Sequence, residues 1–172
     1  MENQFVIMGM DFNSVPFSHL WESETAAVTA LFFFSALIYA SVQDIRTKEI
    51  GNYIHVIIAI TAFIGFKLEN LPFMLLGGII TALPMFLSAL IKPGNVDAGN
   101  TSVGGGDIKL MAASGLILGA GKGIIALIVG LFLGIVCTFI YRKIKNTDLK
   151  TSFPFVPYLA AGCVFVQIII NK

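Results

Sequence analysis

Charge is what this chain has least of. Asp, Glu, Lys and Arg make up 12% of its 172 residues, against about 25% in soluble domains. So few ionised groups cannot cover the surface of a water-soluble globule, and that class is excluded. The net charge of +1 offers no basic excess to hold nucleic acid, so no nucleic-acid partner is expected. Cysteine is almost absent as well. Cys137 and Cys163 stand in separate apolar runs with no CxxC pair, which argues against zinc and dithiol motifs and leaves two small buried hydrophobes. His19 and His55 lack companion ligands, so no metal or cofactor is expected.

What the sequence has instead is apolar residues, 56% of the total, with a mean hydropathy of +0.87. The expected partner for most of it is the lipid bilayer. Apolar runs recur at Thr25–Gln43, Tyr53–Phe66, Leu71–Ile91, Ile108–Ala120, Gly123–Tyr141 and Phe153–Ile170. A span needs about 20 residues, so the second and fourth runs either borrow a turn from their flanks or include a re-entrant segment. The reading is an all-α polytopic membrane protein with about six transmembrane helices. Residues 25–172 form the membrane-embedded domain. Residues 1–24 lack the basic start of a signal peptide, and "FSHLWESE" mixes aromatics with acids, which suggests an extracytoplasmic or interfacial segment.

Alternate connections differ in charge. Those at 44–52, 92–109 and 142–152 hold eight of the eleven Lys and Arg residues; the opposite side holds Lys67, Lys122 and Lys172. By the positive-inside rule the basic connections face the cytoplasm and both termini lie outside. Gly115/Gly119 and Gly130/Gly134 have the small-xxx-small spacing of close helix packing, and Pro84 is expected to kink the third span.

Acidic residues at membrane depth need a reason. Asp97, Asp148, Glu49 and Glu69 sit in connections, but Asp44 follows the first run and Asp107 precedes the fourth. The topology puts both at the cytoplasmic boundary. Singly, Asp107 reads as an N-cap and Asp44 as an interfacial charge beside Arg46 and Lys48. Together, two nearby carboxylates share a proton. One ionised and one neutral carboxyl can then hydrolyse a peptide bond, the first taking a proton from water while the second polarises the carbonyl. The glycines of "GGGD", lacking Cβ atoms, would let a substrate backbone come close. Helix-end electrostatics suggests that Asp107, opening a helix, is ionised and that Asp44, closing one, carries the proton.

Three pieces of sequence carry a resemblance. "DIRTKEIGN" resembles the D-x-R-x-x-x-I-P-N of type IV prepilin peptidases, "GGGDIKLMAASG" their G-x-G-D-x-K-L-x-A-x-x-G, and "FPFVPYLAAG" their P-F-x-P-(Y/F)-L-A-x-G. These are GxGD membrane aspartic proteases, and the likeness is to the small, peptidase-only Flp/Tad-type form. The resemblance implies that Asp44 and Asp107 are catalytic, that Gly104 and Gly106 form a flexible turn before the second, and that Gly105 belongs to the supporting shell. It implies that Asn52, Lys109, Pro154 and Pro157 support them. It further implies a substrate, a prepilin or pseudopilin with a short basic leader and a hydrophobic helix, cut at the cytoplasmic face of a prokaryotic cell membrane. It leaves open whether the two aspartates meet before substrate arrives. Gly51 departs from the pattern, which has proline there. The CxxC-bearing insertion of larger relatives is missing, so N-methyltransferase activity is not expected.

Two rivals remain. A presenilin-like protease would carry Tyr before the first aspartate and a late P-A-L; here Gln43 and "FVPYLA" stand at those places. A small transporter or channel subunit would use the two Asp for cation or proton handling, but no mid-span acid continues a relay across the bilayer.

Overall fold

The computed structural model describes residues 6–7, 10–11, 24–48, 50–64, 71–90, 104–145 and 154–169. Much of the expected 1–24 segment, His19, Lys67, Lys92, Asp97, Lys150 and Lys172 lie outside them. Val6–Ile7 pairs antiparallel with Met10–Asp11. Everything else of regular structure among the described residues is helical: α1 Glu24–Thr47, α2 Asn52–Ala62, α3 Leu71–Leu90, α4 Gly105–Lys145 and α5 Val156–Ile169.

Helix α4 is two helices in one. Gly119 breaks it at φ 73°, ψ 175°, a left-handed backbone that residues with a Cβ adopt at a cost. The segments 105–118 and 120–145 match the two separate runs read from the sequence. Elsewhere the boundaries shift. Helix α1 runs past the expected Gln43, so Asp44 lies in its last turn rather than beyond it. Lys48 closes this helix in the left-handed region (φ 56°) and its N–H donates to Asp44 O at 2.9 Å, a C-terminal cap made without glycine. Helix α3 continues through Pro84, whose ring faces outward.

Among the described residues three helices, α1, α3 and α4, are long and apolar enough to cross a membrane. Helices α2 and α5, of 11 and 14 residues, measure roughly 16 and 21 Å at 1.5 Å per residue, short of the ~30 Å hydrocarbon core. The outer surface is apolar: Leu31, Ile38, Phe132, Ile135 and Phe139 all face outward. Buried polar groups such as Thr81, Ser114 and Asp44 stand inside among large apolar side chains such as Phe33 and Leu37, while the outward faces stay apolar, as expected for helices solvated by lipid.

Close backbone approach holds the bundle together. Helix α3 packs on α4, α4 on α5, α2 on α4, and α1 on both α2 and α5. A Cβ on Gly77 would overlap Gly115 O and come within 2.8 Å of Gly119 Cα. A Cβ on Gly130 would come within 2.9 Å of Leu159 Cα in α5. Thr81, fully buried in α3, shares its hydroxyl hydrogen between Gly77 O at 2.8 Å and Met111 O of α4 at 3.0 Å. The glycine spacing noted in the sequence thus marks real helix seams.

Candidate active site

Helix α1 buries a stripe of Phe33, Leu37, Ala40 and Asp44, spaced so that all four fall on one face. Asp44 continues that stripe and is only 6% exposed. What makes a buried carboxylate tolerable is the N-terminus of α5. Val156 N–H donates to Asp44 Oδ2 at 2.9 Å, and the backbone of Phe155 beside it further favours the ionised carboxylate. Four N–H groups at a helix start lack intrahelical partners, and a neighbouring helix's carboxylate satisfies one of them here, that of Val156. Asp44 therefore caps α5 from outside. Ordinary acceptor capacity is about four sites per carboxylate, so bonding capacity remains for water or substrate.

The proline-rich "FPFVP" supplies this helix start. Phe155 O accepts from Tyr158 N–H at 3.1 Å and Leu159 N–H at 3.4 Å, so Phe155 is the N-cap and Pro157 the second helical residue. Proline costs nothing there, because its missing N–H would have had no intrahelical partner. Pro154 leads directly into the turn.

Asp107 belongs to the first turn of α4. Gly104 O accepts from Asp107 N–H at 3.1 Å and from Ile108 N–H at 3.4 Å, which makes Gly104 the N-cap. The Asp107 carboxylate reaches back to the Gly104 N–H, the reciprocal half of a capping box. The expected N-cap role thus passes to Gly104, with Asp107 three residues further on. Gly106, expected in a flexible turn, is likewise helical, as is Gly105. A Cβ on Gly106 would press on Ile50 Cδ1 at 3.1 Å, whereas one on Gly105 would meet nothing within 4 Å. Gly104 and Gly105 are exposed and Asp107 is half-buried, so this edge is open.

Asp44 and Asp107 lie within Coulombic range of each other. Both face helix N-termini: Asp107 that of its own α4, Asp44 that of α5. Counting only the helix that carries each residue would put the proton on Asp44. With α5 included, helix ends no longer separate the two.

The other expected positions gather at the same end. Lys109 Nζ donates to Asn52 Oδ1 at 2.8 Å, tying the start of α4 to the start of α2. All three sequence pieces therefore converge. Two features lie outside the expected set. Tyr53 OH donates to Gln43 Oε1 at 3.1 Å and lies 3.0 Å from Tyr39 OH, linking α2 to the residue before Asp44. His55, which has no companion ligands in the sequence, is buried beside Lys109. Its position three residues after Asn52, on the same helix face, was the available signal.

Residues 31–139, more than half of the chain, match the type IV leader peptidase family. The chain is 29% identical over 151 residues to a prepilin leader peptidase/N-methyltransferase of Pectobacterium carotovorum subsp. carotovorum. That alignment covers 87% of this chain and 54% of the relative, so the chain spans about half the length of the curated relative it matches. No solved structure gives a significant match. This chain belongs to the type IV leader peptidase family.

Proposed function

We propose that this protein is a membrane aspartic endopeptidase that removes the basic leader from Flp/Tad-type prepilins or related pseudopilins. The observation that carries this reading is the approach of Asp44 and Asp107, 63 positions apart in sequence, to one end of the bundle within Coulombic range. One carboxylate accepts a proton from water as its oxygen attacks the scissile carbonyl. The other, protonated, donates to the carbonyl oxygen. Collapse of the tetrahedral intermediate returns a proton to the leaving amine, and water is consumed. Gly104 and Gly105 leave the approach open, while the Lys109–Asn52 bond and the Pro154–Pro157 turn hold the helix starts that orient the pair.

Residues 25–172 are the peptidase domain on this reading, with six crossings, both termini outside and the dyad facing the cytoplasm of a prokaryotic cell. The Lys and Arg asymmetry supports that orientation. The activity is peptidase without N-methyltransferase, in keeping with the missing CxxC pairs. The test is leader cleavage by purified enzyme on a prepilin, with the product N-terminus mapped. Wild-type protein cuts, Asp44→Asn and Asp107→Asn do not, and normal cutting by either variant rejects the assignment.

A further inference from the structure

A groove of about 480 Å³ runs between α2, α3 and α4. It starts beside Lys109, two residues past Asp107, and follows α4 to Leu116. Its walls are almost wholly apolar and many are small, with Ala59, Gly78, Ala82 and Ala112 among them. His55 breaks that pattern. It lines the groove yet is only 7% exposed, and neither Nδ1 nor Nε2 has a hydrogen-bond partner among the described residues. Native proteins rarely leave both polar atoms of a buried side group unpaired. Stability gives no reason for a histidine here, since an apolar residue of similar shape would serve as well or better.

We infer that the groove receives the membrane segment of the substrate, and that the His55 imidazole hydrogen-bonds its backbone where that segment leaves helical conformation next to the scissile bond. The inference rests on the peptidase reading above. A peptide bond inside a helix has its carbonyl engaged and its faces covered, so the segment to be cut must unwind. Unwinding in apolar surroundings strips backbone carbonyl and N–H groups of partners, and nothing in hydrocarbon replaces them. An uncharged imidazole carries one donor and one acceptor, the same pair that an unwound residue exposes. A lipid acyl tail in the groove would offer His55 nothing along its length. The small wall residues admit a helix at close range, and the end at Lys109 delivers it toward Asp107. His55 is thus a substrate-binding residue, one that acts before and during cleavage without taking part in proton transfer.

The experiment compares His55→Leu and His55→Gln with wild type, each as the full-length protein, in prepilin cleavage and thermal unfolding. Leucine removes both polar atoms at similar volume; glutamine restores a donor and an acceptor. Expected for His55→Leu is a rise in KM and a drop in kcat/KM of at least about fivefold, the low end for leaving a buried polar group unpaired. Its Tm should be unchanged or raised, because an unpartnered imidazole has been removed. His55→Gln should recover much of kcat/KM. A benzoylphenylalanine crosslinker at Ile79, on the groove wall, should capture the membrane segment of the prepilin in an Asp107→Asn background. Wild-type kinetics in His55→Leu, or a lowered Tm that glutamine rescues without any change in KM, overturns the inference and leaves the peptidase reading intact. No cleavage of prepilin by wild type overturns both.

Discussion

Asp44, in the last turn of α1, accepts the backbone N–H of Val156, the first residue of α5, across 112 positions of sequence. One carboxylate thus closes the bundle by capping a distant helix and stands within Coulombic range of Asp107. The two duties place different demands on substitution. Capping needs an acceptor oxygen; water activation needs an ionisable one.

That difference gives a first prediction. Asp44→Asn keeps an oxygen for Val156 and should cost about 1 kcal/mol of stability, whereas Asp44→Ala strips the helix-start N–H of Val156 of its charged acceptor and should cost about 2–3 kcal/mol. Asp107 serves one N–H of its own helix at an open edge, so Asp107→Ala should cost under about 1 kcal/mol. All three should abolish leader cleavage. Thermal unfolding beside a cleavage assay separates the effects. Equal stability losses at Asp44 and Asp107 would contradict the capping role.

The glycines before Asp107 part company in a second prediction. Gly105 is helical with open space at its Cβ position, so Gly105→Ala should gain a few tenths of a kcal/mol from helix propensity. If substrate backbone passes over that face, the same methyl group should raise KM for prepilin. Gly106→Ala instead pushes on Ile50 and should lose stability by about 1 kcal/mol. A Gly105→Ala enzyme with unchanged KM would place the substrate path elsewhere.

How much of this is legible in the sequence depends on the distance over which each signal acts. Hydropathy locates the helices, and the break at Gly119 shows as two separate apolar runs, because burial in lipid is read residue by residue. The gathering of Asp44, Asp107, Asn52 and Lys109 at one end follows from topology and the family pattern. Partners are not legible. That α5 is capped by Asp44 depends on a contact across the bundle, which helix-end reasoning confined to one helix does not include. Asp44 is nonetheless announced by its place in the stripe of Phe33, Leu37 and Ala40. His55 is faint in the sequence, marked only by its place three residues after Asn52; the groove gives it meaning.

The break in α4 supplies a third prediction. Gly119 sits at φ 73° and packs against Gly77 of α3. Gly119→Ala should destabilise by about 1–2 kcal/mol through the left-handed backbone alone. Straightening α4 to relieve that strain would swing 105–118 relative to 120–145 and displace Asp107, so kcat should fall with the stability. Cleavage kinetics and thermal unfolding on the same sample check both. A Gly119→Ala protein as stable as wild type would show that the break tolerates ordinary residues.

Gly51 stands where the related pattern has proline, and its geometry makes the difference testable. Its φ of −64° lies within the range that proline imposes. Proline at a compatible φ stabilises by about 0.4–1 kcal/mol, mainly by restricting the unfolded state. Against this, a Cβ at position 51 would overlap the Tyr53 ring, the same ring whose hydroxyl bonds Gln43. The ring is the far end of a flexible, exposed residue, so it can move, at the expense of its bonds to Gln43 and Tyr39. Gly51→Pro alone should therefore be near neutral, while in a Tyr53→Ala background it should deliver its full gain. A double-mutant cycle by thermal unfolding measures that coupling. Zero coupling would mean that the Tyr53 ring is not what keeps glycine at this position.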